Sequence, residues 1–207
     1  MQSRQEIKLQ AKESFYPNYW ITVGAVFITY GLISAASGVT FFIGGLGSLF
    51  IFPPLIVGLN HFCLTLYRGQ TPALEDIFSL GFSNYLRNLG GVLWMELFIF
   101  LWSLLFVIPG IIKSLAYFAT PYLLAEYDNL PATEALKVSM RMTAGHKGEI
   151  FVMTLSFFGW FILSGITMGI VGVFYSMPYY SISMAGLYEE LKDQAIRSGA
   201  ISESELY

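Results

Sequence analysis

The 207-residue chain predicts an all-α fold. The architecture is a polytopic membrane helix bundle, with about six transmembrane helices and three amphipathic helices on the cytoplasmic side. Three observations lead there. Hydrophobic residues make up 55% of the chain and charged residues only 12%, where a soluble domain carries about 25% charge. The mean hydropathy is +0.60. The few charges are bunched, leaving long apolar tracts between them. A net charge of −3 with this composition argues against a nucleic-acid partner and against a disordered chain.

The elements follow in order. Ser3-x-x-Glu6 is a capping box, and Ile7, Ala11 and Phe15 then share one helical face. Between Glu13 and Arg68 lie 54 residues without a charge, about twice what one crossing needs. Gly38 and the Gly44-Gly45-x-Gly47 cluster divide this tract into spans near Tyr19–Ser37 and Phe42–Tyr67. Pro53-Pro54 in the second predicts a kink whose freed carbonyls are met by neighbours. Thr71-Pro72 predicts the start of a second amphipathic helix carrying Leu74, Ile77, Phe78, Gly81 and Tyr85.

Between Arg87 and Glu126 the only charges are Glu96 and Lys113. Pro109-Gly110 splits this tract into Leu89–Ile108 and Ile111–Ala125. Pro131 opens a third amphipathic helix, with Glu134, Lys137 and Arg141 on its polar stripe. The 39 residues Ile150–Tyr188 carry no charge, and Gly165, Gly169 and Gly172 mark the bend between Ile150–Ser164 and Ile170–Tyr188. The amphipathic helices lie either on the inner leaflet or against the base of the bundle.

Ten of the eleven Lys and Arg residues fall on one side of this arrangement, and only Lys113 lies near the other. That asymmetry predicts a multi-pass protein with both termini in the cytoplasm. Residues 1–191 form a single integral membrane domain, followed by a polar cytoplasmic tail over 192–207. The pattern of one amphipathic helix followed by a two-span hairpin occurs three times, which predicts a repeat about an axis along the membrane normal.

No catalytic motif is present, and no metal or cofactor is expected. Cys63 is the sole cysteine, so no intrachain disulfide forms. Ionisable and polar groups at membrane depth are the functional candidates. Glu96 and His61 are each about 10 Å deep at 1.5 Å per residue, so contact between them is possible, with Asn60 beside them. They are candidates for a ligand or ion site. Lys113, three residues past Gly110, is expected to snorkel to the outer interface. Gly145-His146-Lys147-Gly148 reads as a helix stop, with His146 and Lys147 candidates for an anionic lipid headgroup.

Several blocks carry a resemblance. They include Glu6-Ile7-Lys8 through Asn18-Tyr19-Trp20, and Gly58-Leu59 through Tyr67-Arg68-Gly69. Further along are Ile108-Pro109-Gly110-Ile111-Ile112-Lys113, Pro121-Tyr122-Leu123-Leu124-Ala125-Glu126, Gly145-His146-Lys147 and Gly159-Trp160. From about residue 4 to 191 the chain resembles the bacterial integral membrane family called domain of unknown function 975. The resemblance implies a multi-pass protein of the bacterial cytoplasmic membrane and brings no activity, catalytic residue or cofactor. The expected role is a non-enzymatic accessory, immunity or scaffold protein that binds lipid or another membrane protein. The alternative is a small transporter or channel with its polar site at His61 and Glu96.

Overall fold

The computed structural model describes residues 2–39 and 47–206, and among these every regular element is helical. The expected break at Gly44-Gly45 lies outside the described residues. Eleven α-helices follow one another: α1 (Arg4–Phe15), α2 (Tyr19–Val39), α3 (Gly47–Tyr67), α4 (Asp76–Ser83), α5 (Tyr85–Leu105), α6 (Val107–Ala116), α7 (Thr120–Glu126), α8 (Ala132–Met142), α9 (Lys147–Leu155), α10 (Phe158–Ile166) and α11 (Met177–Arg197). A π-helical turn over Gly172–Ser176 leads into α11, and a 3₁₀ turn over Glu203–Glu205 ends the chain.

Among the described residues five segments are long and apolar enough to cross a membrane: α2, α3, α5, α6 with α7, and α9 with α10. The sixth expected span, Ile170–Tyr188, is helical but less apolar. Its Ser176, Tyr179, Ser183 and Tyr188 are buried against protein, so that face needs no lipid-soluble side chains. Elsewhere the outer surface is strongly apolar. Leu104, Leu105, Phe106, Val107 and Ile108 are all exposed at one hairpin tip, a patch that water would not tolerate and lipid covers.

Local chemistry moves several boundaries. The second hairpin turns at the extended residue Phe106, and Pro109 sits within the first turn of α6, where a missing N–H costs nothing. Gly110 instead serves the close approach of the two arms, since a Cβ there would lie 2.0 Å from the Ser103 hydroxyl. Helix α4 starts at Asp76 rather than at Thr71-Pro72, because the Asp76 carboxylate accepts from the Ala73 N–H at 2.8 Å and holds residues 73–75 in a turn. The capping box at Ser3 forms as expected. Gly145 stops the turn after α8 in the left-handed region at φ +85°. The division at 191/192 falls inside α11. Leu191, Lys192, Ala195, Ile201 and Leu206 are buried, and Glu205 accepts from Arg141 at 2.6 Å, so the tail packs on α8.

The proline break within α3 and the gap between α6 and α7 are both met by side chains. Pro54 has no N–H for the Phe50 carbonyl, and the Tyr85 hydroxyl donates to that oxygen at 3.3 Å. Between α6 and α7, the Ala116 carbonyl accepts from Ser139 at 2.9 Å and from Thr143 at 3.1 Å, while Ser139 accepts from the Ala119 N–H at 3.1 Å. Interrupted helices survive in a membrane only where protein groups complete their hydrogen bonds. The amphipathic helix α8 does this, so it is a built-in part of the bundle.

The helices also show a cyclic order. Helix α4 packs on α3, α8 on α7, and α1 on α11. Each amphipathic helix thus rests on the second arm of the hairpin before it, and α1 closes the ring on the last. The hairpins touch in the same sense, α3 with α5, α6 with α9, and the π turn with α2. This is the contact order that a threefold repeat requires.

The α3–α4 contact is made backbone to backbone. A Cβ on Gly58 would lie 2.0 Å from the Ile77 carbonyl oxygen, and one on Gly81 would lie 2.3 Å from that of Pro54. Gly90 on α5 faces open space. Gly58→Ala is therefore expected to destabilise the protein by about 1–3 kcal/mol through overpacking. Gly90→Ala should be neutral or stabilise by up to about 1 kcal/mol. Thermal unfolding in detergent checks the pair.

Candidate functional site

The sequence-derived candidates do not converge. His61 lies on α3 and is partly buried, and its backbone carbonyl accepts from the Thr65 hydroxyl one turn later at 3.0 Å. Its ring Nδ1 lies 3.5 Å from the same hydroxyl. Glu96 is exposed on α5. Among the described residues no hydrogen bond or ion pair joins it to His61 or Asn60. The expectation of an inward-facing Glu96 with a polar partner on the second span is corrected. The reason is where burial stops: the buried residues of α5 are Asn88, Gly91, Val92 and Met95, and Glu96 lies at the edge of that stripe just past its end. Lys113 does not reach away from the basic end either. Its Nζ lies 4.0 Å from Met140 Sδ on α8 and over the rings of Trp102 and Tyr117. His146 Nδ1 lies 3.5 Å from Glu149 Oε2, one turn into α9, and Lys147 begins that helix.

What the fold does bring together is a charge cluster where α3, α7 and α11 meet. Arg68 follows α3, Glu126 ends α7, and Tyr188, Glu189 and Lys192 lie on α11. Arg68 donates from Nε to Glu189 at 2.6 Å and also to Glu126. Lys192 donates to both Glu126 oxygens, at 2.7 and 3.0 Å, and lies 3.3 Å from Glu189. The Tyr188 hydroxyl donates to Glu126 at 2.7 Å. The Tyr188 ring stacks on Tyr122 of α7 at 4.9 Å. Burial works against the Arg68 charge, but the Glu126 and Glu189 carboxylates outweigh it and raise its pKa.

Beside this cluster, Arg87 of α5 closes the end of α7. Its guanidinium donates to the carbonyls of Leu124, at 2.6 Å, and Tyr127. These are the terminal carbonyls a helix leaves unpaired, at the negative end of its dipole. The sequence alone used Arg68, Arg87 and Lys192 for orientation and Arg68, Arg87 and Glu126 as bounds of apolar tracts, and it brought none of them together. The available signal was Glu189-x-x-Lys192, an i,i+3 ion pair on a helix that leaves the apolar tract.

A second feature lies on α1. Arg4, Lys8 and Lys12 recur every fourth residue, and the spacing continues through Tyr16 to Trp20, both exposed. Among the described residues none of the three cations has a carboxylate within ion-pair distance. The Lys8 ammonium sits 4.1 Å over the Phe157 ring, and Lys12 lies 5.5 Å over Tyr179. Burial, followed by repulsion from Arg4 and Lys12, lowers the Lys8 pKa. Lys8 and Arg4 border an open cleft of about 560 Å³ between α1, α9 and α11, with Glu149 and Ser156 across from them and Ile7 and Leu187 at its apolar part. Among the described residues no group of His, Cys, Asp and Glu is arranged to hold a metal ion.

The apolar helices, lipid-facing tips and protein-satisfied helix breaks define a polytopic helical membrane protein. Residues 104–195, just under half of the chain, match the model of the family described as Protein of unknown function (DUF975), the family that the sequence resembles. The blocks before residue 104 lie outside that match. No curated protein and no solved structure matches the chain.

Glu126 is partly shielded and holds two cations and a phenol. Glu126→Ala leaves Lys192 and Arg68 with only Glu189 as counter-charge, which is expected to cost about 1–3 kcal/mol in this partly buried network. Lys137→Gln, which breaks only the exposed pair with Glu134, should cost less than about 1 kcal/mol. Chemical denaturation in micelles, read by tryptophan fluorescence, compares them.

Proposed function

We propose that this is a non-enzymatic protein of the bacterial cytoplasmic membrane, an accessory, immunity or scaffold factor. It holds lipid or another membrane protein through the helices at its basic end. The carrying observation is a contrast between two sets of charges. Those at the junction of α3, α7 and α11 are consumed by one another, which suits a structural clamp. Those along α1 have no carboxylate partner among the described residues, and two of them, Arg4 and Lys8, border an open cleft, which suits a ligand supplied by the membrane. The transport alternative draws no support from His61 and Glu96, which do not meet.

With Lys and Arg gathered at one end, both termini belong in the cytoplasm. Reporter fusions at Ser3 and Tyr207 should both read cytoplasmic, and opposite readings would remove this topology. Purification from native membranes in mild detergent, with lipid and protein identification by mass spectrometry, tests the role. Stoichiometric phospholipid or a co-purifying membrane protein is expected. Ion or solute flux in proteoliposomes that His61→Ala or Glu96→Gln abolishes would overturn the reading in favour of transport.

A further inference from the structure

Two charges within the apolar tracts are left unanswered by the bundle. Between Arg87 and Glu126 the only carboxylate is Glu96 and the only ammonium is Lys113, one on each arm of the second hairpin. Among the described residues neither has an opposite charge within ion-pair distance, and they do not reach one another. Glu96 is exposed at the edge of the buried stripe of α5. Lys113 is partly exposed, and its ammonium has only soft neighbours, the Met140 sulfur at 4.0 Å and the rings of Trp102 and Tyr117. The surface around the two is apolar: Leu97, Phe100 and Leu101 on α5 and Ile111 and Ile112 on α6 are all exposed. A charge in hydrocarbon is costly, and such groups pair with an opposite charge or line water.

The two charges stand at matching heights. Counted from the turn at Phe106, Glu96 is about 15 Å along α5 and Lys113 about 10 Å along α6, at 1.5 Å per residue. The difference of about 5 Å is within reach of the four-carbon lysine stem.

We infer that a second copy of this chain docks on this face, so that Glu96 of each copy pairs with Lys113 of the other. A twofold axis along the membrane normal keeps both copies in one orientation and brings equal heights together. A face that carries both an acid and a base is self-complementary, and a twofold contact closes two ion pairs at once. A different partner would have to supply a base and an acid of its own at the same two heights. The apolar side chains around the pairs keep water out, and the charge-assisted hydrogen bonds formed there belong to the strong class. This self-association goes beyond the role proposed above and does not rest on it.

The test uses the full chain, labelled at its N-terminus and reconstituted in phosphatidylcholine vesicles, with self-association read by energy transfer across a dilution series. The wild-type protein should dimerise. Glu96→Lys and Lys113→Glu each set like charges against one another in both pairs. Each should weaken self-association at least about ten-fold, a difference of about 1.4 kcal/mol. Mixed together, the two variants should form a heterodimer, because every contact then joins an acid to a base. The chain carrying both reversals should dimerise like the wild type. As a measurement that leaves the charges intact, Leu97→Cys should cross-link between copies with a short bifunctional thiol reagent, whereas Phe161→Cys on α10 should not. The native Cys63 is buried and does not compete.

A wild-type protein that stays monomeric at every dilution overturns the proposal. So does an affinity that either reversal leaves unchanged, a mixture that stays monomeric while both variants keep their helical circular dichroism, or a Leu97→Cys chain that fails to cross-link. Cross-linking of Leu97→Cys to a chain of another mass would assign the face to a different membrane protein and overturn the second copy as its occupant.

Discussion

A carboxylate that leaves water at the end of a membrane helix has to bring its counter-charges with it. Glu126 takes one cation from the chain that follows α3, another from α11, and a phenol from Tyr188. Arg68 comes from the end of α3, and Lys192 and Tyr188 both come from α11, so the carboxylate ties the ends of α3 and α7 to the side of α11. The nearby stack of Tyr122 on Tyr188 and the hold of Arg87 on the last carbonyls of α7 depend on the same placement. The network is worth little as bulk stabilisation, because desolvating its members offsets much of their attraction. Its value lies in specificity: any other pairing of arms would leave a partly buried charge alone.

The amphipathic helices extend that logic to the backbone. A short apolar helix could have rested on a lipid surface, but α8 supplies Ser139 and Thr143 to the gap between α6 and α7, and α4 meets α3 at Gly58 and Gly81 without intervening side chains. These helices complete hydrogen bonds and fill grooves that the spans cannot complete themselves. Helix α1 alone keeps a free charged flank. Its Ile7, Ala11 and Phe15 are buried while Arg4 and Lys8 are left toward the cleft.

Much of the architecture was legible in the residues. Charge-free tracts placed the apolar helices, the Ser3 and Glu6 pair placed α1, and Gly145 placed the stop after α8, because each depends on short-range chemistry. What escaped depends on which faces meet across the bundle. Glu96 and His61 share a depth but not a face, and depth is all that counting residues along a span provides. Glu126 and Lys192 lie 66 residues apart, and nothing local to either announces the other. The position of the second hairpin turn also escaped. Pro-Gly is a strong turn signal in water, whereas here proline occupies a first helical turn and glycine a tight crossing.

The seat of α1 on α11 has a consequence for how the chain is made. Helix α1 rests on α11, and the Tyr179 hydroxyl that reaches the Lys8 carbonyl is separated from it by 171 residues. Helix α1 touches α3 through Gln10 and Tyr67, but α11 supplies most of the surface against which it rests. During synthesis the docking of α1 therefore waits until α11 has been made. Loss of α11 would thus be felt at α1, far from it in sequence.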